Sequence, residues 1–201
     1  MINLPKHGIQ WPQSFDIRAH MKWSKVKQLV ERRFAKSICG RVAVFSTRYQ
    51  CSCGRGWITI DGREIADLST LASGSRYGAI YHETTHTPCV KHPAITDNER
   101  TPGQFVEVGE FSRFDLHEAC WKFLHSSIAE SLSSPNPLIK GLAILDGRVG
   151  RQRLERVAAE PLHPLVKALL RFRIRADHEY RSKTRAAINQ KSIDESTTTP
   201  N

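Results

Sequence analysis

The sequence predicts an α+β protein with an N-terminal helix, a small antiparallel sheet of three or four strands and a helical C-terminal half. An amphipathic period begins near Met21, β-branched and aromatic runs follow up to about residue 85, and helical periodicity returns after residue 112. Because the predicted strands form one block followed by a block of helices, we expect α+β rather than α/β architecture. The 201 residues, 39% of them apolar, are enough for one domain with a real core.

The first predicted helix lies in "MKWSKVKQLVERRFAKSI", which starts at Met21. Its apolar positions, spaced for one helical face, are Trp23, Val26, Leu29, Val30 and Phe34. Gly40 is expected to end the helix region. Residues 1–20 have no period and are predicted to be an irregular N-terminal arm, so that Met21 is an alternative to Met1 as the translation start.

Two strands are predicted on either side of Asp61-Gly62 in "WITIDGREIADLST", because that pair favours a tight type I′ turn. "RVAVFSTRY" before it and "YGAIYHETT" after it have the composition of further strands. The stretch "QCSCGRG" is expected to be a turn or bulge. "HTPCVKHPAITDNERTPG", with three prolines and no period, is expected to be a long loop.

The second half predicts helices. "SRFDLHEACWKFLHSSIAESLSS" reads as one helix capped by Ser112 or Asp115, with the Cys120 thiol on its apolar face. Residues 133–160 predict two shorter helices, separated near Gly147 or Gly150. A last helix is predicted to begin at Pro164. We expect residues 21–178 to form a single domain and the polar residues 179–201 to be a disordered tail.

The charge is concentrated at the C-terminal end. The chain carries a formal net charge of +10, and residues 148–191 hold twelve Lys or Arg and four Asp or Glu, a net +8. The candidate basic face consists of Arg148, Arg151, Arg153, Lys167, Arg171 and Arg175. Such a face favours nucleic acid or an acidic protein as partner, and a non-enzymatic binding protein is the function that we expect.

The predicted location is the cytoplasm. The N-terminus lacks the apolar stretch of a secretory signal, and no run reaches the roughly 18 apolar residues of a membrane helix. The five cysteines are odd in number and scattered, as is typical of reduced thiols.

One motif suggests an enzyme instead. His82, Glu83 and His86 spell H-E-x-x-H, in which two histidines bind zinc from one face of a helix and the glutamate is the general base of a hydrolase. The β-branched Thr84 and Thr85, with Pro88 shortly after, oppose that helix. In a strand the two histidines would lie about 13 Å apart and could not share a metal. A zinc hydrolase is therefore the alternative function.

A second metal site is a weaker alternative. Cys51 and Cys53 on the predicted turn, with Cys89 and His92 in the long loop, have the residue types of a structural Cys₃His zinc site. A single C-x-C with a single C-x-x-H is a weak signal beside a doubled C-x-x-C. We therefore favour ordinary thiols and a surface histidine, and expect no cofactor.

Four stretches resemble an uncharacterised family of small bacterial proteins. They are "MKWSK", "GRGWITIDGREIA", "GEFSRFDLHEACWKFLHSSI" and "LAILDGRVGRQRL…LHPLV". The resemblance covers roughly residues 21–176 and implies a bacterial, intracellular setting and a single α+β domain. It implies no activity and no catalytic residue, so the function stays open.

Overall fold

The computed structural model describes residues 21–48, 54–70, 72–73 and 103–197, with side chains described as far as residue 190. Over these ranges the elements follow the predicted α+β order, which confirms the fold class. They are α1 (Trp23–Arg32), a short 3₁₀ turn (Lys36–Ile38), β1 (Val42–Arg48), β2 (Gly54–Ile60), β3 (Arg63–Ser69), α2 (Arg113–His125), α3 (Ile128–Ser133), α4 (Pro137–Leu145), α5 (Arg151–Ala158) and α6 (Pro164–Thr197).

The described strands form an antiparallel sheet in the order β1-β2-β3. Asp61 and Gly62 connect β2 to β3 with φ angles of 49° and 76°, which are the positive values that a type I′ turn requires. The predicted hairpin is thus confirmed. β2 begins at Gly54, so residues 54–56 are strand rather than part of the predicted turn. The predicted strand in residues 77–85 lies outside the described residues.

Helix α2 packs on the sheet at Gly56. A Cβ atom at Gly56 would lie 2.8 Å from Cδ2 of Leu116, a side chain that is fully buried. Glycine at this strand position therefore permits a close approach of helix and sheet. The position of α2 follows from this contact and from the capping box that Ser112 and Asp115 form at its N-terminus.

The predicted helix over residues 112–134 is two helices, not one. α2 ends at His125, and Ser127 begins α3 with a second capping box, in which its side chain accepts a hydrogen bond from the Glu130 amide. The sequence "SSIAE" has the S-x-x-E pattern of a helix start, and this local bonding outweighs the continuous apolar face. The next break agrees with the prediction, because α4 ends at Leu145 and α5 begins at Arg151.

Helix α6 is longer than the sequence suggested. Pro164 is its first residue, as predicted, but the helix continues to Thr197 through the segment expected to be a disordered tail. Every side chain from Arg181 to Gln190 is exposed, so packing on the core does not hold this part helical. The physical reason is local, since Arg, Lys, Ala and Gln in this segment are good helix formers.

The core draws on helices and sheet together. Val26 and Val30 of α1, Leu116 and Cys120 of α2, and Leu169 of α6 belong to one cluster of buried residues. A second cluster joins α5 to α4 and α6, and its members are Ile144, Val149, Leu154, Val157, Val166 and Leu170. Cys120 is the core thiol that its helical position predicted, and burial raises its pKa. None of the helices in the described ranges has the length and apolar character needed to span a membrane.

Candidate functional site

A basic groove of about 750 Å³ surrounds the loop between α4 and α5. We call it the loop groove. Its walls are the end of α1 with the following turn, the loop itself and the middle of α6. Its charged residues are Arg32, Arg33, Lys36, Arg148, Arg151, Arg173 and Arg181 against Asp146 and Asp177, and Tyr180 also lines it. The surplus of five cations gives the groove a strongly positive character.

Arg173 holds the loop on α6. Its side chain is 3% exposed, and its Nε donates to both carboxylate oxygens of Asp177 at 3.0 Å. Nη1 donates to the carbonyl oxygens of Ile144 and Asp146 at 2.9 and 3.0 Å, and Nη2 to that of Val149 at 3.2 Å. A buried guanidinium with these partners is a structural group, and it fixes the backbone that carries the groove's exposed arginines.

The buried carboxylate of Asp146 fixes the orientation of the Arg148 side chain. The carboxylate is 1% exposed and accepts hydrogen bonds from the Arg148 amide at 2.8 Å and from its Nη2 at 2.7 Å. The Arg148 side chain itself is 55% exposed. The hydrogen bond that this guanidinium donates to Asp146 raises its pKa, and the group therefore stays charged while it faces the groove.

The loop is also bonded to the end of α1. The Ala35 amide donates to the carbonyl of Leu145 at 2.9 Å, and the Gly147 amide donates to that of Arg33 at 2.8 Å. The guanidinium of Arg33 in turn donates to the carbonyls of Phe123 and Leu124 at 3.0 and 2.9 Å. Hydrogen bonds thus hold together the end of α1, the α4–α5 loop and the end of α2, which are far apart in sequence.

Three cations of the loop groove have no acidic partner. Arg32, Lys36 and Arg181 are exposed, and within the described ranges none of them forms a hydrogen bond or an ion pair from its side chain. Arg151 differs, because it pairs with Glu155 at 2.6 Å. Unpaired cations on fixed elements are the groups that an external anion would contact.

Helix α6 extends the positive surface beyond the groove. At 34 residues the helix is about 51 Å long, and its part after Tyr180 packs on none of the core clusters. This part carries Arg181, Lys183 and Arg185, with no acidic residue between 180 and 190. A basic helix that projects from the core therefore adjoins the loop groove.

A second groove, of about 620 Å³, lies between the β2–β3 turn and the first turns of α6. We call it the hairpin groove. Lys167, Arg171 and Arg175 line it from α6, and Arg63 lines it from β3. Arg171 and Arg173 are two residues apart on a helix of 3.6 residues per turn, so the two grooves lie on opposite sides of α6.

The structure therefore divides the single basic face that the sequence suggested. Arg148 and Arg151 lie in the loop groove, whereas Lys167, Arg171 and Arg175 lie in the hairpin groove. Arg153 is exposed and lines neither of these grooves. The sequence could not show this division, because linear charge density does not show which side of a helix each arginine occupies.

Sequence reasoning missed the unpaired cations of the loop groove and the role of Arg173. Arg32 and Lys36 precede the basic block by more than a hundred residues, and a single sequence holds no signal that joins them to it. Arg173 did carry a signal, because it follows Leu169 and Leu170 at helical spacing on the buried side of α6. A charged residue on an apolar face indicates a buried ion pair.

Neither metal hypothesis falls within the described residues. His82, Glu83 and His86, like the Cys₃His candidates Cys51, Cys53, Cys89 and His92, lie in residues 49–53 and 74–102. In the ranges that the structure does cover, no group of three or more His, Cys, Asp or Glu side chains is arranged to hold a metal ion. Both hypotheses stay predictions.

His117 is the most perturbed imidazole of the described residues, and its environment is structural. Its Nε2 lies 2.8 Å from Oγ of Ser46, and its ring stacks on Trp23 with centroids 4.4 Å apart. Burial, with a smaller contribution from the nearby Arg113, lowers its pKa to about 4. A neutral imidazole bridging α1, β1 and α2 stabilises the packing of these elements.

The comparison with known families agrees with the resemblance noted in the sequence. Residues 22–174 match the SF0329 protein family. The chain belongs to that family. The matched range takes in α1 to α5 and the three strands described above, and it stops at residue 174, within the first third of α6. Neither a curated protein nor a solved structure matches the chain, so no relative assigns a role to either groove.

Proposed function

We propose that this SF0329 family protein binds nucleic acid through the loop groove and the projecting part of α6. The observation that carries the proposal is the set of three unpaired cations, Arg32, Lys36 and Arg181, around a loop held in place by buried hydrogen bonds. Unpaired cations can neutralise phosphates without first losing an internal partner.

The expected contact is with the phosphate backbone. Lysine and arginine dominate the loop groove, and Tyr180, 45% exposed, is its one exposed aromatic side chain among the described residues. Base stacking needs several aromatic side chains, whereas phosphate contacts need only cations in a suitable array. Binding should therefore be weakly selective for sequence and strongly dependent on salt.

An elongated polyanion fits this surface better than an acidic protein does. The cations continue from the loop groove along α6 to Arg185. This part of α6 is exposed, and neither core cluster of the described residues lies beside it. Protein interfaces usually have an apolar centre with charges at the rim. A basic helix on a concave basic surface instead suits a duplex, whose phosphates are spaced regularly.

The test is fluorescence anisotropy of a labelled duplex DNA at several salt concentrations, with the full chain. The variant Lys36→Gln/Arg181→Gln removes two unpaired cations and should weaken binding to all sequences alike. Because each neutralised phosphate contributes about −0.9 to the slope of log K against log salt, that slope should flatten by about 2.

The matched control is Lys167→Gln/Arg171→Gln, which changes the net charge equally on the opposite side of α6. It should retain the wild-type slope. No binding at low salt would contradict the proposal and favour an acidic protein partner instead. Equal losses in the two variants would contradict the assignment to the loop groove.

A further inference from the structure

We propose that the hairpin groove is a separate site for a small organic phosphate, that is, a phosphate group carrying an apolar ring or short chain. This inference goes beyond nucleic-acid binding and uses none of the residues on which that proposal rests. It stands on the shape of the groove, on its apolar floor and on a row of cations without acidic partners.

The groove has a floor of apolar side chains. Ile65 is 4% exposed, and the Phe105 amide donates to its carbonyl at 2.8 Å, which fixes Phe105 beside β3. Ile60 from the strand side and Pro164, Ala168 and Phe172 from the helix also line the groove. A volume of about 620 Å³ lies within the range of small-molecule sites, which are mostly apolar with a few convergent polar groups.

The rim of the groove is cationic. Lys167 and Arg171 follow each other by one turn of α6, about 6 Å along the axis, and Arg63 stands on the opposite wall. All three are exposed, and none has an acidic partner among the residues that the structure describes. A phosphate dianion between neighbouring guanidinium and ammonium groups would satisfy donors that have no acidic partner among the described residues.

One acidic residue among those described, Asp61, lines the hairpin groove, and both Asp61 and the nearby Glu179 are engaged by Arg41. Asp61 accepts two hydrogen bonds from Arg41, at 2.8 and 2.9 Å, and this bonding lowers the pKa of its carboxyl. Glu179 accepts from Arg41 at 3.1 Å and lies 3.8 Å from Arg175. These carboxylates therefore neutralise Arg41 and part of Arg175, and they leave the charge of the other rim cations uncompensated.

The position of the cations on α6 adds to the argument. Lys167 lies in the first turn of the helix, which contains no acidic residue. A cation there faces the positive end of the helix dipole, and this arrangement is unfavourable in isolation. A bound anion at the rim would relieve both the dipole and the repulsion between Lys167 and Arg171.

The ligand class follows from floor and rim together. Inorganic phosphate would pair with the cations of the rim but would leave the apolar side chains of the floor exposed to water. A neutral ring would cover the floor but leave the cations unpaired. A phosphate monoester with an apolar body uses both, because burying about 100 Å² of apolar surface is worth roughly tenfold or more in affinity. Phenyl phosphate is a suitable probe of this class.

The experiment is a titration of the ¹⁵N-labelled full chain with phenyl phosphate, inorganic phosphate and phenol. Binding should change the backbone amide shifts of residues 61–65 and 165–175. Phenyl phosphate should bind at least about tenfold more tightly than either inorganic phosphate or phenol. The proposal is overturned if phenyl phosphate causes no shift there at about 10 mM, or if inorganic phosphate binds equally well.

Two variants test the two halves of the site separately. Lys167→Gln/Arg171→Gln should weaken phenyl phosphate binding at least about tenfold. Ala168→Leu, which fills the floor and keeps every charge, should weaken phenyl phosphate binding but leave inorganic phosphate unaffected. Unchanged affinity for phenyl phosphate in either variant would overturn the proposal. Duplex binding is measured on the same variants. It reports on the loop groove alone, so failure of one proposal can be told from failure of the other.

Discussion

Arg173 and Asp177, one turn apart on α6, form an ion pair in which Nε of the buried guanidinium lies 3.0 Å from each oxygen of the partly buried carboxylate. The same guanidinium donates to three carbonyls of the α4–α5 segment, and Asp177 also accepts from the Ser37 hydroxyl. Together these two side chains connect α6, the loop and the turn after α1. The loop groove exists because these three segments are held together.

Replacing Arg173 with Met should lower the free energy of unfolding by about 3–5 kcal/mol, because it leaves three carbonyls and the partly buried carboxylate of Asp177 without their donor. Urea unfolding measures this. The control is Arg175→Met, whose 65% exposed side chain lies 3.8 Å from Glu179 and should cost less than about 1 kcal/mol. Arg173→Lys, which keeps the charge without the planar fork, should fall between them. Similar losses at the two positions would show that the buried network is not the source of stability.

Gly62 should be sensitive to side-chain addition even though its surroundings are open. Its φ is +76°, and no atom lies within 4 Å of a Cβ built there. Gly62→Ala should therefore lower the free energy of unfolding by about 1–2 kcal/mol through backbone strain alone. Gly62→Asn should cost less, because asparagine tolerates this conformation. A thermal or urea melt in which Ala is tolerated as well as Asn would contradict the turn geometry.

His117 should make stability depend on pH in the acid range. Its folded pKa is about 4, below the ordinary value of 6.5, so the unfolded chain takes up a proton first as the pH falls. The stability that the neutral ring contributes is present above about pH 6.5 and is lost towards pH 4, by up to about 3 kcal/mol.

The measurement for His117 is urea unfolding at pH 7 and pH 4.5, on wild type and on His117→Gln. The variant should lose less stability between the two pH values than wild type does. An equal loss in both proteins would exclude His117 as the group responsible, and a titration of its ring signals by NMR would then report a pKa well above 4.

The capping box of Ser127 should stabilise the start of α3 and with it the folded protein. Its side chain accepts a hydrogen bond from the Glu130 amide at 3.2 Å, while its own amide donates to the Glu130 carboxylate at 2.7 Å. Ser127→Ala should lower the free energy of unfolding by about 1 kcal/mol. The neighbouring Ser126→Ala should stay within about 0.5 kcal/mol, and a reversed order of these two effects would contradict the cap.

Local signals in the sequence predicted most of the fold. The Asp61-Gly62 turn, the Ser112 cap, the break before Arg151 and the start at Pro164 each depend on residues close together in the chain. The break at Ser127 had an equally local S-x-x-E signal, but a continuous apolar face concealed it. The helix beyond residue 178 was missed because polar composition outweighed helix propensity in that prediction.

The candidate site was predicted only in part because grooves depend on distant segments. Arg148 and Arg151 of the basic block line the loop groove, whereas Lys167 and Arg171 of the same block line the hairpin groove. Only the packing of α6 between the loop and the hairpin separates them. Arg32 enters the loop groove through backbone bonds between residues 33 and 147, and local patterns in the sequence do not report such contacts.

Hydrogen exchange of the full chain with and without duplex DNA tests the central claim most directly, because it locates the contact surface without any substitution. We expect slower amide exchange in residues 32–37, 146–151 and 177–185, which form the loop groove and the adjoining part of α6, and unchanged exchange in the hairpin at residues 61–65. Protection confined to the hairpin groove, or no protection at low salt where duplex is in excess, would contradict binding of nucleic acid by the loop groove.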